Sequence, residues 1–401
     1  MKRMKALFLE NIHPYAEEIL RRSGIDITSF SNSLSEAELI AKMEGNQFLG
    51  IRSRTQITNT LLENSPDLLA IGAYCIGTNQ IDLDSASLKG VAAFNAPYSN
   101  TRSVAEIVIA EIIFLIRRLY EKIRYAHQGV WDKSADNTHE VRGRTLGIIG
   151  YGNIGSQVSM LAESMGMKVY YYDIIDKLTI GNAVRLSSLD ELLKISDIIT
   201  VHVDGNAANR NLIGAGEFSK MKDGVIFLNL SRGFIVDIGA MAANIKNGKI
   251  AGAAVDVFPE EPRSPDDKFF SPLQNLPNVL LTPHIGGNTE EAQYNIAEFV
   301  SNKLIEYFKT GSTFTSVNFP RIQLPSLTGS HRLLHIHKNL PGVLSQINTI
   351  FARNSVNVES QFLRTNEKIG YVVTDVDKKY KDSLLENLKN VDHTIKVRIL
   401  N

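Results

Sequence analysis

Three polar residues in the second half of the chain have the types and positions that proton transfer on an anionic substrate needs. Arg232 lies in Asn-Leu-Ser-Arg-Gly, Glu261 in Asp-Val-Phe-Pro-Glu-Glu-Pro and His284 in Thr-Pro-His-Ile-Gly-Gly, each after an apolar run that predicts a strand. Ligands bind at the carboxyl edge of parallel strands in open α/β sheets. A histidine beside a carboxylate can donate and accept a proton near neutral pH, and a guanidinium can bind a carboxylate or developing oxyanion. Taken singly, a surface charge, a turn acid and a loop histidine are the favoured interpretations.

A glycine-rich turn nearer the middle of the chain predicts a dinucleotide site. It has the spacing Gly-x-Gly-x-x-Gly, follows the apolar run 146–149 and precedes a segment with helical apolar spacing. Glycines here permit a tight turn and the close approach of a pyrophosphate to a helix N-terminus. Asp173 ends a second predicted strand roughly 20 residues beyond, where a carboxylate accepts ribose hydroxyls and repels a 2′-phosphate. The turn residues predicted to bind the dinucleotide are Gly150, Gly152, Asn153, Ile154 and Gly155.

The turn and the acid together predict NAD(H), not NADP(H), as the cofactor, and hence hydride exchange between an alcohol and a ketone. A glycine turn that arose by chance is the alternative, since the chain has 28 glycines. The flanking strand, the amphipathic helix and the spacing of Asp173 favour the dinucleotide site. Hydride exchange needs a base for the hydroxyl proton and a cation for the oxyanion, and the three polar residues provide both.

Length and composition indicate a globular chain of several domains without a highly charged partner. The chain has 401 residues, 43% of them hydrophobic, and its 43 basic and 43 acidic residues give a formal net charge of zero. This balance gives no electrostatic case for binding nucleic acid or a membrane. Glu10 ends the first apolar run too early for a signal peptide, and the single cysteine, Cys75, fits a reducing compartment. The expected location is cytoplasmic.

Short apolar runs that alternate with helical patterns predict an α/β protein of three domains. A discontinuous, flavodoxin-like substrate-binding domain is expected over 1–99 and 287–328. A doubly wound, Rossmann-like NAD-binding domain is expected over 100–286. Residues 320–330 predict a linker, after which the order βαββαβ over 329–401 predicts a ferredoxin-like domain.

Together these motifs resemble the signatures of the D-isomer-specific 2-hydroxyacid dehydrogenases, in the same order and over almost the whole chain. The resemblance implies that Arg232 orients the substrate carboxylate and ketone, that His284 is the acid and base, and that Glu261 sets its protonation. Glu261 is the family match because it directly precedes the proline, whereas Glu260 does not. The resemblance also implies cofactor contacts at Leu230, Ser231, Arg232, Asp256, His284, Gly286 and Gly287.

Motifs in the first part of the chain resemble, more narrowly, the members of this family that act on a phosphorylated acid. They are Gly-Ile-Arg-Ser-Arg-Thr at 50–55, Cys-Ile-Gly-Thr-Asn at 75–79 and Asn-Ala-Pro-Tyr-Ser-Asn-Thr-Arg-Ser-Val-Ala at 95–105. This resemblance implies oxidation of 3-phospho-D-glycerate to 3-phosphohydroxypyruvate with NAD, the first step of L-serine biosynthesis. Two arginines one residue apart can offer two cations to a phosphate, although a salt-bridged surface pair is the alternative. The implied substrate residues are Arg52, Ser53, Arg54, Asn100, Trp131 and Lys133.

The C-terminal domain resembles an ACT domain, a regulatory module that pairs with its copy in another subunit and binds an amino acid at the seam. The resemblance implies a homotetramer with L-serine as feedback inhibitor, held by His337, Asn339 and Asn357. Trp131 and Lys133 match a position that this family contributes to a neighbouring subunit's active cleft, although packing alone is the alternative for Trp131. His335 and His337 share a strand face, which fits a metal site, but no cysteine or paired acid lies nearby, so no metal is predicted.

Two other functions compete with this interpretation. A related dehydrogenase acting on 2-hydroxyglutarate or 2-oxoglutarate, glycerate or lactate would keep the same arginine, glutamate and histidine, and would differ chiefly in its need for Arg52 and Arg54. A non-enzymatic protein that senses NADH would use the same fold. The complete catalytic trio and an amino-acid-binding regulatory module speak against the sensor.

Overall fold

The computed structural model describes residues 3–262, 267–327, 331–377 and 382–400. The chain forms two compact units, one of Met1–Pro97 with Gln293–Asn401 and the other of Tyr98–Ala292. The three domains expected from the sequence and their boundaries stay a prediction, and the boundary between 328 and 329 lies outside the described residues. No described helix is long and apolar enough to cross a membrane.

A parallel five-stranded sheet with flanking helices occupies the N-terminal part of the first unit. Its elements are β1 (Met4–Phe8), α1 (Pro14–Arg22), β2 (Ile25–Ser29), α2 (Glu36–Met43), β3 (Phe48–Ile51), α3 (Asn59–Glu63), β4 (Ala70–Ala73), α4 (Leu83–Leu88) and β5 (Ala92–Phe94). The strand order β2-β1-β3-β4-β5 is flavodoxin-like. Every residue of β3, β4 and β5 is buried, as expected for parallel strands covered on both faces. Strand β2 was not predicted from the sequence, because this edge strand is largely exposed and has no continuous apolar run.

The second unit is a parallel seven-stranded sheet with helices between its strands. Its elements are α5 (Thr101–Ile116), α6 (Leu119–His127), β6 (Thr145–Ile149), α7 (Asn153–Ser164), β7 (Lys168–Tyr172), β8 (Val184–Arg185), α8 (Leu189–Ile195), β9 (Ile198–Val201), α9 (Ala215–Lys220), β10 (Val225–Asn229), α10 (Ile238–Lys246), β11 (Ile250–Val255) and β12 (Val279–Leu281). The order β12-β11-β10-β9-β6-β7-β8 reverses at β6, which is the doubly wound topology. The carboxyl ends of β6, β9, β10, β11 and β12 therefore lie at one edge of the sheet.

The C-terminal part of the first unit consists of most of a long helix, which begins in the second unit, and a small antiparallel sheet. Its elements are α11 (Glu290–Thr310), β13 (His331–Lys338), α12 (Val343–Arg353), β14 (Val358–Thr365), β15 (Ile369–Val376), α13 (Asp382–Lys389) and β16 (Thr394–Leu400). The order β14-β15-β13-β16 with all pairs antiparallel is ferredoxin-like. The predicted α/β fold with Rossmann-like, flavodoxin-like and ferredoxin-like parts is confirmed.

A buried arginine pairs with an acid inside the antiparallel sheet and joins the sheet to the rest of the first unit. Arg332 is 1% exposed, and its guanidinium donates two hydrogen bonds to the carboxylate of Asp375, at 2.6 and 2.8 Å. It also donates to the carbonyls of Thr310 and Pro325. In the predicted linker, Ile322 and Leu324 are buried in the same apolar core. The described part of the predicted linker therefore packs on the unit through these two side chains, while most residues between and after them are exposed.

Candidate active site

His284 and Glu261 are joined by a hydrogen bond in the second unit. His284 Nδ1 lies 2.8 Å from a carboxylate oxygen of Glu261, and the other oxygen accepts the N–H of Phe258 at 3.0 Å. The two side chains are partly exposed and follow the neighbouring strands β12 and β11. Because Nδ1 is engaged with the carboxylate, Nε2 is the ring nitrogen left to exchange a proton with a substrate.

The contact shifts both pKa values toward an ion pair. The hydrogen bond to Glu261 raises the pKa of His284 against the opposing effect of burial, and the charge of Asp256 adds to the rise while that of Arg232 opposes it. Burial pushes the pKa of Glu261 up, but hydrogen bonds from His284 and the Phe258 N–H, with the positive charges nearby, bring it below its usual value. The pair therefore favours the imidazolium, the form that donates a proton to a ketone.

Asp256 fixes the turn that carries His284. Its carboxylate accepts the hydroxyl of Thr282 at 2.6 Å, the N–H of Ile285 at 2.8 Å and the N–H of Gly286 at 2.9 Å. His284 has a φ of 54°, a left-handed conformation that residues other than glycine rarely adopt. Three hydrogen bonds to a buried carboxylate compensate for such a backbone. The family resemblance implies Asp256 only as a cofactor contact, and its role in fixing this turn was not predicted from the sequence.

Arg232 follows β10, the strand beside β11, and the structure brings it near the other two catalytic candidates. Its Nη1 donates to the carbonyl of Ser231 at 2.7 Å, and the hydroxyl of Ser231 donates to the side chain of Asn229, also at 2.7 Å. The charge of Arg232 lowers the pKa values of both Glu261 and His284. One edge of the second unit's sheet thus holds a cation and an acid–base pair.

The glycine turn between β6 and α7 has the geometry of a phosphate cradle. Gly150 has a φ of 92°, and a Cβ atom at Gly155 would lie 2.3 Å from the carbonyl oxygen of Gly150, so neither position tolerates a side chain. Helix α7 begins at Asn153, and Gly152 at its N-cap has no side chain to cap the helix. The first N–H groups of α7, including those of Asn153 and Ile154, can therefore serve an anion.

Asp173, at the end of β7, lies beside this turn. Its two carboxylate oxygens accept the N–H of Tyr151 at 2.8 Å and the N–H of Ile175 at 2.9 Å. Each oxygen keeps acceptor capacity for a further donor such as a ribose hydroxyl. The cradle without side chains and the fixed acid beside it fit a dinucleotide with a free 2′-hydroxyl.

Several further candidates line the same region of the second unit. Leu230 and Ser231 are buried directly after β10. A Cβ atom on Gly287 would lie 1.9 Å from Nδ2 of Asn100, so the Asn100 side chain lies against the backbone of the turn after His284. The structure thereby brings Asn100, a predicted substrate residue, to the turn that carries the predicted acid–base residue.

Arg52, Ser53 and Arg54 lie in the first unit, directly after β3. Arg52 is partly exposed, and Ser53 and Arg54 are exposed. Within the described residues neither guanidinium has an ion pair or a hydrogen-bond acceptor, so the alternative of a salt-bridged surface pair is not realised there. Two cations are therefore available to a ligand.

Trp131 and Lys133 lie in the second unit, in the segment between α6 and β6. Trp131 is 80% exposed, so it does not fill a core position of its own unit, as the packing alternative requires. Lys133 is also exposed.

The three residues predicted to bind L-serine are not brought together within one chain. His337 is buried, with Nδ1 bonded to the carbonyl of Lys338 at 2.7 Å, while Asn339 bonds the carbonyl of Asn366. Asn357 precedes β14, whose first residue pairs with Val376 of β15, whereas His337 pairs with Gly370 near the other end of β15. Asn357 thus lies at the opposite end of the sheet from the other two. Among the described residues no group of histidines, cysteines and acids could hold a metal ion.

A glutamate for which the sequence predicted no role is buried on helix α5. Both carboxylate oxygens of Glu111 are buried without a hydrogen-bond partner in the described part of the chain. Burial, with a contribution from the charge of Asp256, raises the pKa of Glu111 to about 8. The only signal in the sequence is that this acid interrupts the apolar run 107–116.

Comparisons with known proteins agree with this geometry. Residues 109–286 match the D-isomer specific 2-hydroxyacid dehydrogenase, NAD binding domain, and residues 333–396 match the AHAS small subunit-like ACT domain. The chain is 47% identical over 99% of its length to D-3-phosphoglycerate dehydrogenases of Haemophilus influenzae and Escherichia coli K12, covering 97% and 98% of those proteins. It is 45% identical over 99% of its length to D-3-phosphoglycerate dehydrogenase 1 of Saccharomyces cerevisiae, covering 87% of that protein.

Solved structures lead to the same group of proteins. D-2-hydroxyisocaproate dehydrogenase superposes with a TM-score of 0.72 at 26% identity, covering 79% of this chain and 100% of that one. D-lactate dehydrogenase from Aquifex aeolicus, complexed with NAD and lactic acid, superposes with a TM-score of 0.68 at 28% identity, covering 79% and 99%. The predictions of an oxidoreductase and of NAD as its cofactor are confirmed. The identity over nearly the full length shows that the chain belongs to the D-isomer-specific 2-hydroxyacid dehydrogenase family, together with the D-3-phosphoglycerate dehydrogenases.

Proposed function

We propose that the chain interconverts 3-phospho-D-glycerate and 3-phosphohydroxypyruvate with NAD, the first step of L-serine biosynthesis. The observation that carries the chemistry is the hydrogen-bonded pair of His284 and Glu261 at 2.8 Å, with Arg232 close enough to influence both pKa values. The near full-length similarity to D-3-phosphoglycerate dehydrogenases supports the choice of substrate.

Each residue of the trio performs one part of the reaction. The glycine turn at 150–155 and Asp173 would hold NAD, which would supply the acceptor for the hydride on the carbon that bears the hydroxyl group. Neutral His284 removes the hydroxyl proton at Nε2, and Glu261 stabilises the imidazolium that forms. Arg232 binds the substrate carboxylate and the developing carbonyl oxygen. In the reverse direction the imidazolium donates its proton to the ketone.

The phosphate distinguishes this substrate from other 2-hydroxy acids. Arg52 and Arg54 have no partner among the described residues, so binding an anion breaks no existing ion pair. Guanidinium groups bind phosphate oxygens with two parallel hydrogen bonds each. We therefore assign the phosphate to these two arginines, with Ser53 between them, and assign Asn100, Trp131 and Lys133 to the remainder of the substrate.

Steady-state NADH oxidation tests the substrate. The chain is assayed with 3-phosphohydroxypyruvate, 2-oxoglutarate and pyruvate side by side. The expected result is the highest kcat/KM for the phosphorylated substrate, and turnover of pyruvate alone would contradict the assignment. Binding of NADH without turnover of any 2-oxo acid would favour a sensor.

We also propose that L-serine inhibits the chain by binding between two copies of the C-terminal sheet in a homotetramer. Strand β14 is an edge strand. Antiparallel pairing of β14 with its copy about a two-fold axis would bring Asn357 of one chain to the end of the sheet where the other has His337 and Asn339. A site of this kind explains why the three residues lie at opposite ends of a single sheet.

Inhibition kinetics and sedimentation test the regulation. We expect L-serine to inhibit the wild type, and an Asn357→Ala variant to lose inhibition while keeping its uninhibited kcat. Sedimentation should give a tetramer. Inhibition of N357A equal to that of the wild type would contradict the assigned site.

A further inference from the structure

Glu10, a buried acid that follows β1, holds the backbone of the loop that carries Arg52 and Arg54. It is 8% exposed. Its two carboxylate oxygens accept the N–H of Arg54 at 2.9 Å and the N–H of Thr55 at 2.8 Å. Strands β1 and β3 are neighbours in the sheet, so the acid and the loop emerge at the same edge. One carboxylate thereby fixes two consecutive peptide groups of the loop.

Gln80 holds the same loop from the side of β4. It is 4% exposed, and its Nε2 donates to the carbonyl of Arg52 at 2.7 Å. Its backbone carbonyl accepts the N–H of Ile57 at 2.8 Å. The loop is therefore bonded to both neighbouring segments, and its backbone is fixed while the arginine side chains remain unpaired among the described residues.

The negative charge of Glu10 is unfavourable for binding an anion at the loop. A contribution of Glu10 to substrate recognition must therefore be geometric. A carboxylate near an anion site repels the ligand, and a neutral acceptor would avoid that repulsion. Glu10 and the following Asn11 have φ values of 66° and 53°, two consecutive left-handed residues that the surrounding structure must support. The chain thus keeps a strained, charged clamp under the loop, as expected where the position of the loop matters.

We infer that Glu10 is a positioning residue for substrate recognition, and that it sets selectivity for acids with a second anionic group by fixing the backbone between Arg52 and Thr55. The phosphate as that second group rests on the proposed function. Glu10 acts through the loop and touches neither the substrate nor the cofactor.

A Glu10→Gln variant tests this inference, because an amide keeps the size of the side chain but can accept through only one atom. We expect the KM for 3-phosphohydroxypyruvate to rise on the order of tenfold, the effect of one lost charge-assisted hydrogen bond, with kcat and the KM for NADH within about twofold of wild type. The KM for pyruvate should change little. Amide hydrogen exchange in the peptide that covers 52–57 should accelerate.

Two further variants make the result specific. Glu38→Gln is the matched control, since Glu38 also accepts a backbone N–H, that of Ser35 at 3.0 Å, in a capping box of the same unit. E38Q should keep wild-type kinetics. Glu10→Asp keeps the charge and can still reach one N–H, so it should restore part of the affinity, and it tests the clamp even if E10Q does not fold.

The outcomes separate this inference from the proposed function. Unchanged KM and unchanged exchange in E10Q overturn the role of Glu10. A parallel loss in kcat, in NADH binding and with both substrates also overturns it, because that pattern indicates a general structural defect. If the wild type shows no preference for the phosphorylated substrate, the proposed function is contradicted instead. The role of Glu10 is then decided by the KM of E10Q for the acid that the wild type does reduce, together with amide exchange at 52–57.

Discussion

The turn that carries His284 and the loop that carries Arg52 and Arg54 are held in the same way, but their functional side chains differ in hydrogen bonding. In the second unit the carboxylate of Asp256 accepts two N–H groups of the turn, and in the first unit the carboxylate of Glu10 accepts two N–H groups of the loop. The His284 ring is then bonded to Glu261, whereas the arginines have no partner in the described residues.

This difference follows from what each region must do. An acid–base catalyst needs a defined tautomer and a shifted pKa, and a permanent partner provides both. An anion-binding cation loses affinity if it must first leave an internal partner. The comparison therefore predicts that variants of the turn change kcat, whereas variants of the loop change KM.

Removing the proton carrier should have the largest effect. We expect His284→Asn to lower kcat by about 10³ or more, because no other described side chain is bonded to Glu261 in a way that could replace the imidazole. NADH binding measured by fluorescence should persist. A kcat within tenfold of wild type would show that the proton travels by another route.

Loss of the hydrogen bonds that Asp256 accepts from the turn should have the second-largest effect. Asp256→Asn retains one acceptor oxygen and introduces an amide where the N–H groups of Ile285 and Gly286 now donate. The strained backbone at His284 should relax, and we expect kcat to fall by about 10². The comparison with the loop is sharpest if the KM for the 2-oxo acid changes less than kcat. A change confined to KM would contradict it.

The two clamps also mark the limit of prediction from the sequence. Buried strands such as β3 and β4, and the glycine turn, were recognised because their signals are local. Glu261 and His284 were singled out by their positions after predicted strands, but their pairing was expected only through the family resemblance. The clamps join residues 29 and 30 positions apart in the turn and 44 and 45 apart in the loop, so no local pattern reveals them. Edge strands such as β2 and β8 lack a buried face, so they have no local apolar signal from which they could be predicted.

Removing the negative charge of Glu261 should shift the pH dependence of kcat. Glu261 raises the pKa of His284, so reduction of the ketone, which needs the imidazolium, should fall as pH rises through that raised pKa, and oxidation of the alcohol should rise over the same range. Glu261→Gln removes the negative charge and should move both midpoints to lower pH. We expect kcat for reduction near pH 7.5 to fall by about tenfold or more. Midpoints equal to those of wild type would contradict the pairing.

The loop should respond differently to the loss of a cation. Arg54→Gln is expected to raise the KM for the phosphorylated substrate on the order of tenfold while kcat stays within about threefold, because one guanidinium–phosphate contact is lost. Arg22→Gln is a suitable control, since Arg22 forms an exposed pair with Glu18 in the same unit. A loss of kcat as large as the rise in KM would contradict the distinction between turn and loop.

A third buried carboxylate sharpens the comparison because it accepts no hydrogen bond in the described residues. Glu111 therefore keeps its proton where Asp256 and Glu10 act as acceptors, and its pKa is raised to about 8. A raised pKa means that the folded chain binds this proton more tightly than the unfolded chain, whose glutamates ionise near pH 4.5. The resulting stabilisation is complete below that pH and is lost as pH rises toward 8, by on the order of 2–4 kcal/mol. Glu111→Gln cannot ionise, so it should match wild type in urea unfolding at pH 5 and exceed it at pH 9, with kcat little changed. A stability difference that is the same at both pH values would show that the Glu111 carboxyl ionises normally in the folded chain.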